Sequence, residues 1–181
     1  MTESSPEEHV VLVDAQDRTL GVLEKLAAHE RGVLHRAFSV FVVREQQGRT
    51  ELLLQLRARG KYHFGGLWTN TCCGHPRRDE SPVDAGERRL PEEMNFHCAL
   101  SAVGWFVYRA TSDNGLTEHE LDHVLLGRHH GDVPAPNTDE AERARWVTLP
   151  ELDRELGDRP DAFTPWFAQG YALVKRALRA A

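Results

Sequence analysis

The densest group of reactive side chains lies at the centre of the chain, in Trp68-Thr69-Asn70-Thr71-Cys72-Cys73-Gly74-His75-Pro76. A cysteine beside a glycine and two residues before a histidine is a candidate reactive thiol, because an imidazole nearby can activate it or exchange a proton with it. Taken singly, either cysteine is as readily a small buried apolar side chain. From Gly74 the chain continues with five residues, Glu80, seven residues, and then Arg88-Arg89-Leu90-Pro91-Glu92-Glu93-Met94-Asn95-Phe96. A loop leading into a helix of this kind can present carboxylates to a divalent cation that holds a diphosphate. The plain alternative is an exposed charged helix. A third candidate is His119-Glu120-Leu121-Asp122-His123. On a helix its two histidines would share a face and bind zinc, with Glu120 as base. The turn-like Asp113-Asn114-Gly115 before it and the apolar Val124-Leu125-Leu126 after it favour a strand, on which Glu120 points away from both histidines.

These residues need elements to hold them. Residues 9–13, 37–43, 51–56, 102–109, 117–126 and 143–148 read as strands, with a polar turn around Gly48 and another at Asp113-Asn114-Gly115. Phe64-Gly65-Gly66-Leu67 reads as a loop leading to Trp68. Ser81 as N-cap, Pro82 at the first position and Asp84 at the third predict a helix running to Met94. Asn95 suits its left-handed end. Pro91 falls inside that helix, where it would remove a hydrogen bond and crowd the Glu87 carbonyl at about 3 kcal/mol. The sequence therefore predicts a kink or an earlier end, and leaves the aim of Glu93 open. Thr164-Pro165 predicts the start of a C-terminal helix. Antiparallel-looking strands with few helices imply an α/β (α+β) fold, an α/β/α sandwich around a mixed sheet.

Composition narrows the partners. The 181 residues suit a single domain over 1–181, with residues 1–8 expected to be a flexible N-terminus. Forty per cent apolar residues and four tryptophans supply a core, and a formal charge of -6 argues against a nucleic-acid partner. The acidic start lacks the pattern of a secretory signal, and no stretch reaches the ~20 apolar residues of a membrane span. Three cysteines without CxxC spacing argue against a disulfide framework or a structural zinc site. The expectation is a reduced, cytoplasmic protein with no membrane partner.

The spacing from Gly74 to Phe96 resembles a Nudix box, with two departures: Arg89 where a hydrolase of that superfamily carries a glutamate, and Asn95 where it carries glycine. Further motifs follow in the order of one family within it. They are Leu23-Glu24-Lys25 with His29, His35, Lys61-Tyr62-His63-Phe64 running into Trp68-Thr69-Asn70, Cys72-Cys73-Gly74-His75-Pro76, Tyr108-Arg109-Ala110, Glu118-His119-Glu120 and Phe163-Thr164-Pro165-Trp166. On these residues, from about His9 to the C-terminal helix, the chain resembles the type I isopentenyl-diphosphate isomerases.

The resemblance implies a Nudix-like fold and a metal site of His29, His35, His75, Glu118 and Glu120, taking Mn²⁺, Zn²⁺ or Mg²⁺. Mn²⁺ and Zn²⁺ are more at ease among imidazoles. Glu118 and Glu120, two apart on a strand, would share a face. It implies a second ion, Mg²⁺, carried by the substrate diphosphate and touching Glu93. Lys25, Arg57, Lys61 and Arg89 are the candidate diphosphate clamp, Arg57 being the least securely matched. Cys73 and Glu120 would divide protonation and deprotonation of the alkene, with Tyr108 bonded to Glu120 and the Trp166 ring facing the cation. His97, His123, His129 and His130 are left as ordinary surface or core histidines. The implied partner is a prenyl diphosphate, and a monomer or weak homodimer is expected. Two other readings stay open: a Nudix diphosphate hydrolase, for which the Arg89 position is wrong, and a non-catalytic metal- or diphosphate-binding module, against which the intact Cys73, Glu118, Glu120 and Trp166 speak.

Overall fold

The apolar run after His35 becomes the strand around which the sheet is organised. In a computed structural model describing residues 9–61 and 63–180, β3 (His35–Gln46) pairs along one edge with β8 (Thr117–Arg128), in parallel, from His35 opposite Glu120 to Val43 opposite Arg128. Its other edge is shared. β1 (His9–Val13) meets it at His35, β6 (Cys72–Gly74) from Phe38 to Val40, and β4 (Arg49–Arg57) from Val42 to Gln46. β7 (Leu100–Thr111) lies outside β8, β2 (Thr19–Glu24) outside β1, and both β9 (Ala141–Thr148) and the short β5 (Trp68–Thr69) on β4. The expected flexible segment 1–8 and Tyr62 of the loop motif lie outside the described residues.

Alternation along β3 divides the core. Phe38, Val40 and Val42 pack with Ala85, Leu90 and Met94 of α2 (Pro82–Met94). Phe41 and Val43 face the opposite way, against Leu152 of α3 (Leu149–Asp158) and Phe167, Tyr171 and Val174 of α4 (Phe167–Ala180). Helices on both faces of a mixed sheet make the α/β/α sandwich that the sequence implied. The parallel β3–β8 pair is what makes the sheet mixed, and among the described residues four α-helices stand where the sequence located two. The last helix begins at Phe167, because Thr164 is turned inward to Thr69, 2.8 Å between hydroxyl oxygens.

The caps of α2 follow the sequence. The Ser81 hydroxyl accepts from the Asp84 amide at 3.1 Å, and Asn95 ends the helix at φ 59°, ψ 27°. Pro91 does not end it. The helix continues to Met94, so Glu93 is carried inward and is 3% exposed. Two helices lie outside the expected set. Seven-residue α1 (Lys25–Arg31) is capped by the Glu24 carboxylate, which accepts from the Leu26 and Ala27 amides. It ends at Gly32, where φ is 59° and an added Cβ would lie 3.2 Å from the Thr117 methyl. α3 carries a capping box between Thr148 and Glu151. No helix among the described residues is long and apolar enough to cross a membrane.

The cost of Pro91 in a helix interior is offset in part by its restriction of the unfolded chain. Pro91→Ala should therefore stabilise by about 1–2 kcal/mol, raising Tm by roughly 2–8 °C with activity retained. Thermal unfolding followed by circular dichroism checks this, and a lower Tm would show that packing of the proline ring outweighs the backbone term.

Candidate active site

One end of the sheet face that carries α3 and α4 is polar rather than apolar. On β8 the inward positions run Glu118, Glu120 and Asp122 before reverting to Val124, and on β3 they run His35, Ala37 and Ser39 before Phe41. The parallel register sets His35 beside Glu120. β6 adds Cys73, opposite Ser39, and the chain beyond it His75. β7 adds Tyr108, opposite Glu120, and α1 adds His29. Residues 119 and 123 point to the other side of β8. His119 Nδ1 lies 2.9 Å from the Gly32 carbonyl and His123 Nε2 3.0 Å from Asp17 Oδ2, so His119 to His123 form no zinc motif.

The ligand atoms of His29, His35, His75, Glu118 and Glu120 all lie within 4.8 Å of one another. Their tautomers are set from behind. His29 Nδ1 is 2.6 Å from the Lys25 carbonyl and His35 Nδ1 is 2.9 Å from the Val33 carbonyl, so both rings donate through Nδ1. The Nε2 lone pairs then face carboxylate oxygens: His29 to Glu118 Oε2 at 3.1 Å and His35 to Glu120 Oε1 at 3.5 Å. His75 Nε2 stands 2.9 Å from Glu120 Oε1. A lone pair against a carboxylate repels unless a cation or a proton lies between them. His35 Nε2 is buried with no hydrogen-bond partner. Burial pushes His75 down to about 4, so it meets Glu120 as a neutral imidazole at pH 7. Burial also opposes charge on His29, but the Glu118 hydrogen bond outweighs it and raises its pKa. Burial opposes the charge of Glu120 too, yet the His35 and His75 contacts hold its carboxyl well below the usual range. Neighbouring ligands about 2.1 Å from an ion stand roughly 3 Å apart, which matches these separations. The residues fit a divalent metal.

His75, Glu118 and Glu120 of the metal group form one wall of a cavity of about 240 Å³, with His29 and His35 behind them. Cys73, Tyr108, Trp166, Lys25, Arg57, Lys61, Arg89 and Glu93 line it as well; of the residues picked out from the sequence, only His29 and His35 are set back from the cavity surface. Tyr108 donates to Glu120 Oε2 at 2.5 Å, and burial followed by that carboxylate raises its own pKa well above the ordinary value. Arg57, the least securely matched residue of the clamp, is 5% exposed; its Nη1 is 3.5 Å from Cys73 Sγ and its guanidinium carbon 5.5 Å from the Trp166 ring centroid. Burial pushes the Cys73 thiol up to about 12 despite the opposing pull of Arg57. Cys72, one residue back, faces α2 and is fully buried. Trp166 is fixed from behind, its indole nitrogen donating to Asn70 Oδ1 at 3.1 Å. Asn70 in turn donates to the Cys72 carbonyl at 2.6 Å. One buried amide thus orients both the indole and the strand bearing the thiol.

At the mouth, Arg89 bridges Glu93 at 2.8 Å, Glu92 at 2.7 Å and Glu140 at 3.0 Å, while Lys61 pairs with Glu140. Burial works against the Arg89 charge, and Glu93 and Glu140 more than offset it. The first glutamate of the box pattern, Glu80, is not at the cavity wall; it pairs with Arg88 at 2.8 Å and accepts from the Arg77 amide at 2.8 Å, fixing the start of α2. Sequence reasoning missed Glu140, Asp122 and His63. Asp122 was readable as the next inward position after Glu118 and Glu120. Its Oδ2 accepts from the Ser39 hydroxyl at 2.7 Å, and burial with the Glu120 charge pushes its carboxyl well up. His63 was quoted within a motif and given no role, yet its Nε2 is 2.5 Å from Glu118 Oε1.

Comparison with known proteins shows the family. The NUDIX domain family matches residues 33–167. The chain is 51% identical to the isopentenyl-diphosphate Delta-isomerase of Burkholderia multivorans, covering 94% of this chain and 93% of that one. It is 51% identical to the enzyme of the same name from Photobacterium profundum, covering 90% and 92%, and 45% identical to that of Pectobacterium atrosepticum, covering 93% and 92%. Among solved structures, the MutT protein of Methanosarcina mazei superposes with a TM-score of 0.62 at 19% identity, over 80% of this chain and 94% of that one. A Deinococcus radiodurans protein gives 0.66 at 19%, over 83% and 90%. At those identities the structural likeness establishes the fold alone. With about half the residues shared over nine-tenths of the chain, it belongs to the type I isopentenyl-diphosphate Delta-isomerase family of the NUDIX superfamily.

Proposed function

We propose that this protein interconverts isopentenyl diphosphate and dimethylallyl diphosphate for isoprenoid synthesis. It does so by adding a proton to the terminal alkene carbon and removing one from the carbon next to the C–O carbon. The observation that carries this reading is the convergence of Cys73 and the Tyr108–Glu120 pair on one cavity that also holds Lys25, Arg57, Lys61 and Arg89. The family supplies the named substrate pair. A catalytic thiol must stay reduced, so we place the protein in the cytoplasm.

The diphosphate enters as its Mg²⁺ complex. Lys25, Arg57, Lys61 and Arg89 bind its oxygens, and Glu93 offers a carboxylate to the Mg²⁺. Glu140 holds Lys61 and Arg89 before substrate arrives and must release them to it. Binding by the phosphates places the isoprenyl chain against Cys73, Glu120 and Trp166. Cys73 and Glu120 divide the two proton transfers. With a pKa near 12, the Cys73 thiol keeps its proton at neutral pH, and a thiolate formed there is a strong base. Tyr108 holds one Glu120 oxygen by hydrogen bonding. A divalent ion at the histidine–glutamate group, when bound, supplies a fixed positive charge that tunes the acidity of Glu120. The Trp166 face stabilises the tertiary carbocation by about 0.5–2 kcal/mol. Phe64 and Trp166, their ring centroids 5.7 Å apart, help to exclude the water that would quench it. Arg89 in place of the box glutamate removes a carboxylate from the metal site that hydrolysis would use, and adds a cation for binding instead.

Three outcomes are expected. Cys73→Ala should lower the isomerisation rate by at least about 10²-fold, while Cys72→Ala and Cys98→Ala retain it. Full activity of Cys73→Ala in a direct assay of the allylic product would remove the centre of the mechanism. Run in D₂O, the reaction should place deuterium on product carbon, read by mass spectrometry, and Glu120→Gln should stop both turnover and labelling; isomerisation without carbon deuterium would show that neither group transfers the proton. Elemental analysis should find one tightly held Mn²⁺, Zn²⁺ or Mg²⁺, and chelation should abolish activity, restored only when both that metal and Mg²⁺ are returned. Activity that survives exhaustive chelation would count against the two-ion scheme.

A further inference from the structure

Glu118 has a neighbour on each carboxylate oxygen. Oε2 lies 3.1 Å from His29 within the metal group, while Oε1 lies 2.5 Å from His63 Nε2. The His63 ring stacks on His29 at 5.7 Å between centroids and 26° between planes. His63 comes from the loop between β4 and β5, which also carries Lys61. Its backbone carbonyl accepts from Arg57 Nη2 at 3.3 Å, and the other arm of that guanidinium reaches Cys73. The loop is held closed by the Gly66 amide to the Arg57 carbonyl and the Arg57 amide to the Leu67 carbonyl, both 3.0 Å. Gly65 allows no side chain there, because a Cβ would stand 2.9 Å from the Ala58 and Arg59 carbonyl oxygens. One residue therefore touches a metal-group carboxylate with its side chain and a clamp arginine with its backbone.

We propose that His63 is a positioning residue joining the two halves of the site. It fixes Glu118 through the contact of its Nε2 with Oε1, the oxygen that does not face His29, so that occupation of the diphosphate clamp and occupation of the metal group strengthen each other. This rests on the metal site proposed above. The physical basis is twofold. Hydrogen-bond partners behind a ligand carboxylate set its orientation and contribute to metal affinity. A residue in contact with both sites couples them reciprocally where either ligand shifts its position. The stacked imidazoles make the loop position depend on the pose of His29 as well.

The test is titration of the metal-free protein with Co²⁺ against a competing chelator, with and without inorganic diphosphate and excess Mg²⁺. In the unaltered protein Mg²⁺-diphosphate should tighten Co²⁺ binding. His63→Ala should weaken Co²⁺ binding by about 10–100-fold and reduce that tightening to less than half, while His63→Gln, whose amide can still donate to Glu118, recovers part of both. Circular dichroism confirms that each variant is folded. Unchanged Co²⁺ affinity and unchanged linkage in folded His63→Ala would overturn the proposal. His75→Ala is measured alongside. If it abolishes Co²⁺ binding while His63→Ala leaves everything unchanged, the metal site stands and only the role of His63 falls. If neither variant alters Co²⁺ binding, the metal reading itself is wrong and the present inference falls with it.

Discussion

Five ligand atoms within 4.8 Å, two carboxylate oxygens and three imidazole nitrogens, four of them from buried residues and one from the half-buried His75, set the terms for the rest of this protein. Such a group repels itself unless a positive charge is placed among it, and unpaired charge in a folded interior costs several kcal/mol per ion. The sheet supplies the geometry. Parallel pairing of β3 with β8 puts His35 against Glu120, and the same β8 face delivers Glu118. Backbone carbonyls behind His29 and His35 turn their Nε2 lone pairs inward. The fold accommodates the group because the same strand faces turn apolar further along, at Val124 and Phe41, and pack against α3 and α4.

The two sides of the sheet divide the labour around this group. The face toward α3 and α4 carries acid–base chemistry, while α2 sends Arg89 and Glu93 to the rim from the other layer. Alternation within two residues separates a core thiol from one that lines the cavity: Cys72 faces α2 and Cys73 the cavity, though both are adjacent in a three-residue strand. Asn70 ties this strand to Trp166, which comes from nearly a hundred residues later, so aromatic wall and thiol are held by a single buried amide. Satisfied buried networks of this kind fix a unique arrangement, and a broken one leaves a polar group without a partner.

The rim is balanced rather than simply basic. Lys61 and Arg89 share Glu140, and Arg89 also holds Glu92 and Glu93. An overall acidic chain can present a diphosphate site in this way without an exposed positive surface that would attract other polyanions. The box position that carries a glutamate in hydrolases carries here Arg89, a cation paired with Glu92, Glu93 and Glu140, while Glu80 and Arg88 of the same box stay as a structural pair at the start of α2.

Local patterns in the sequence determined much of this. Ser81-Pro82 and Asn95 marked α2 to the residue, because caps act within one turn. Period-two placement put Glu118 and Glu120 on one face and rejected the His119–His123 motif, because alternation is a property of any strand. Motif order pointed to the five residues whose ligand atoms the structure groups, and to Lys25, Arg57, Lys61 and Arg89 of the cavity lining. Other features lay within local reach and were passed over, such as Asp122 in the same alternation and the Thr148–Glu151 capping box of α3. α1 was hidden by its length and by a glutamate cap. Pro91 was misleading, since packing of Leu90 and Met94 holds the helix through it. Only the tertiary structure could bring His63 to Glu118, Glu140 to Lys61 and Arg89, and Arg57 to Cys73. Those contacts join segments separated by 16 to 79 residues, and they depend on strand register and loop closure, which no short stretch of sequence encodes by itself.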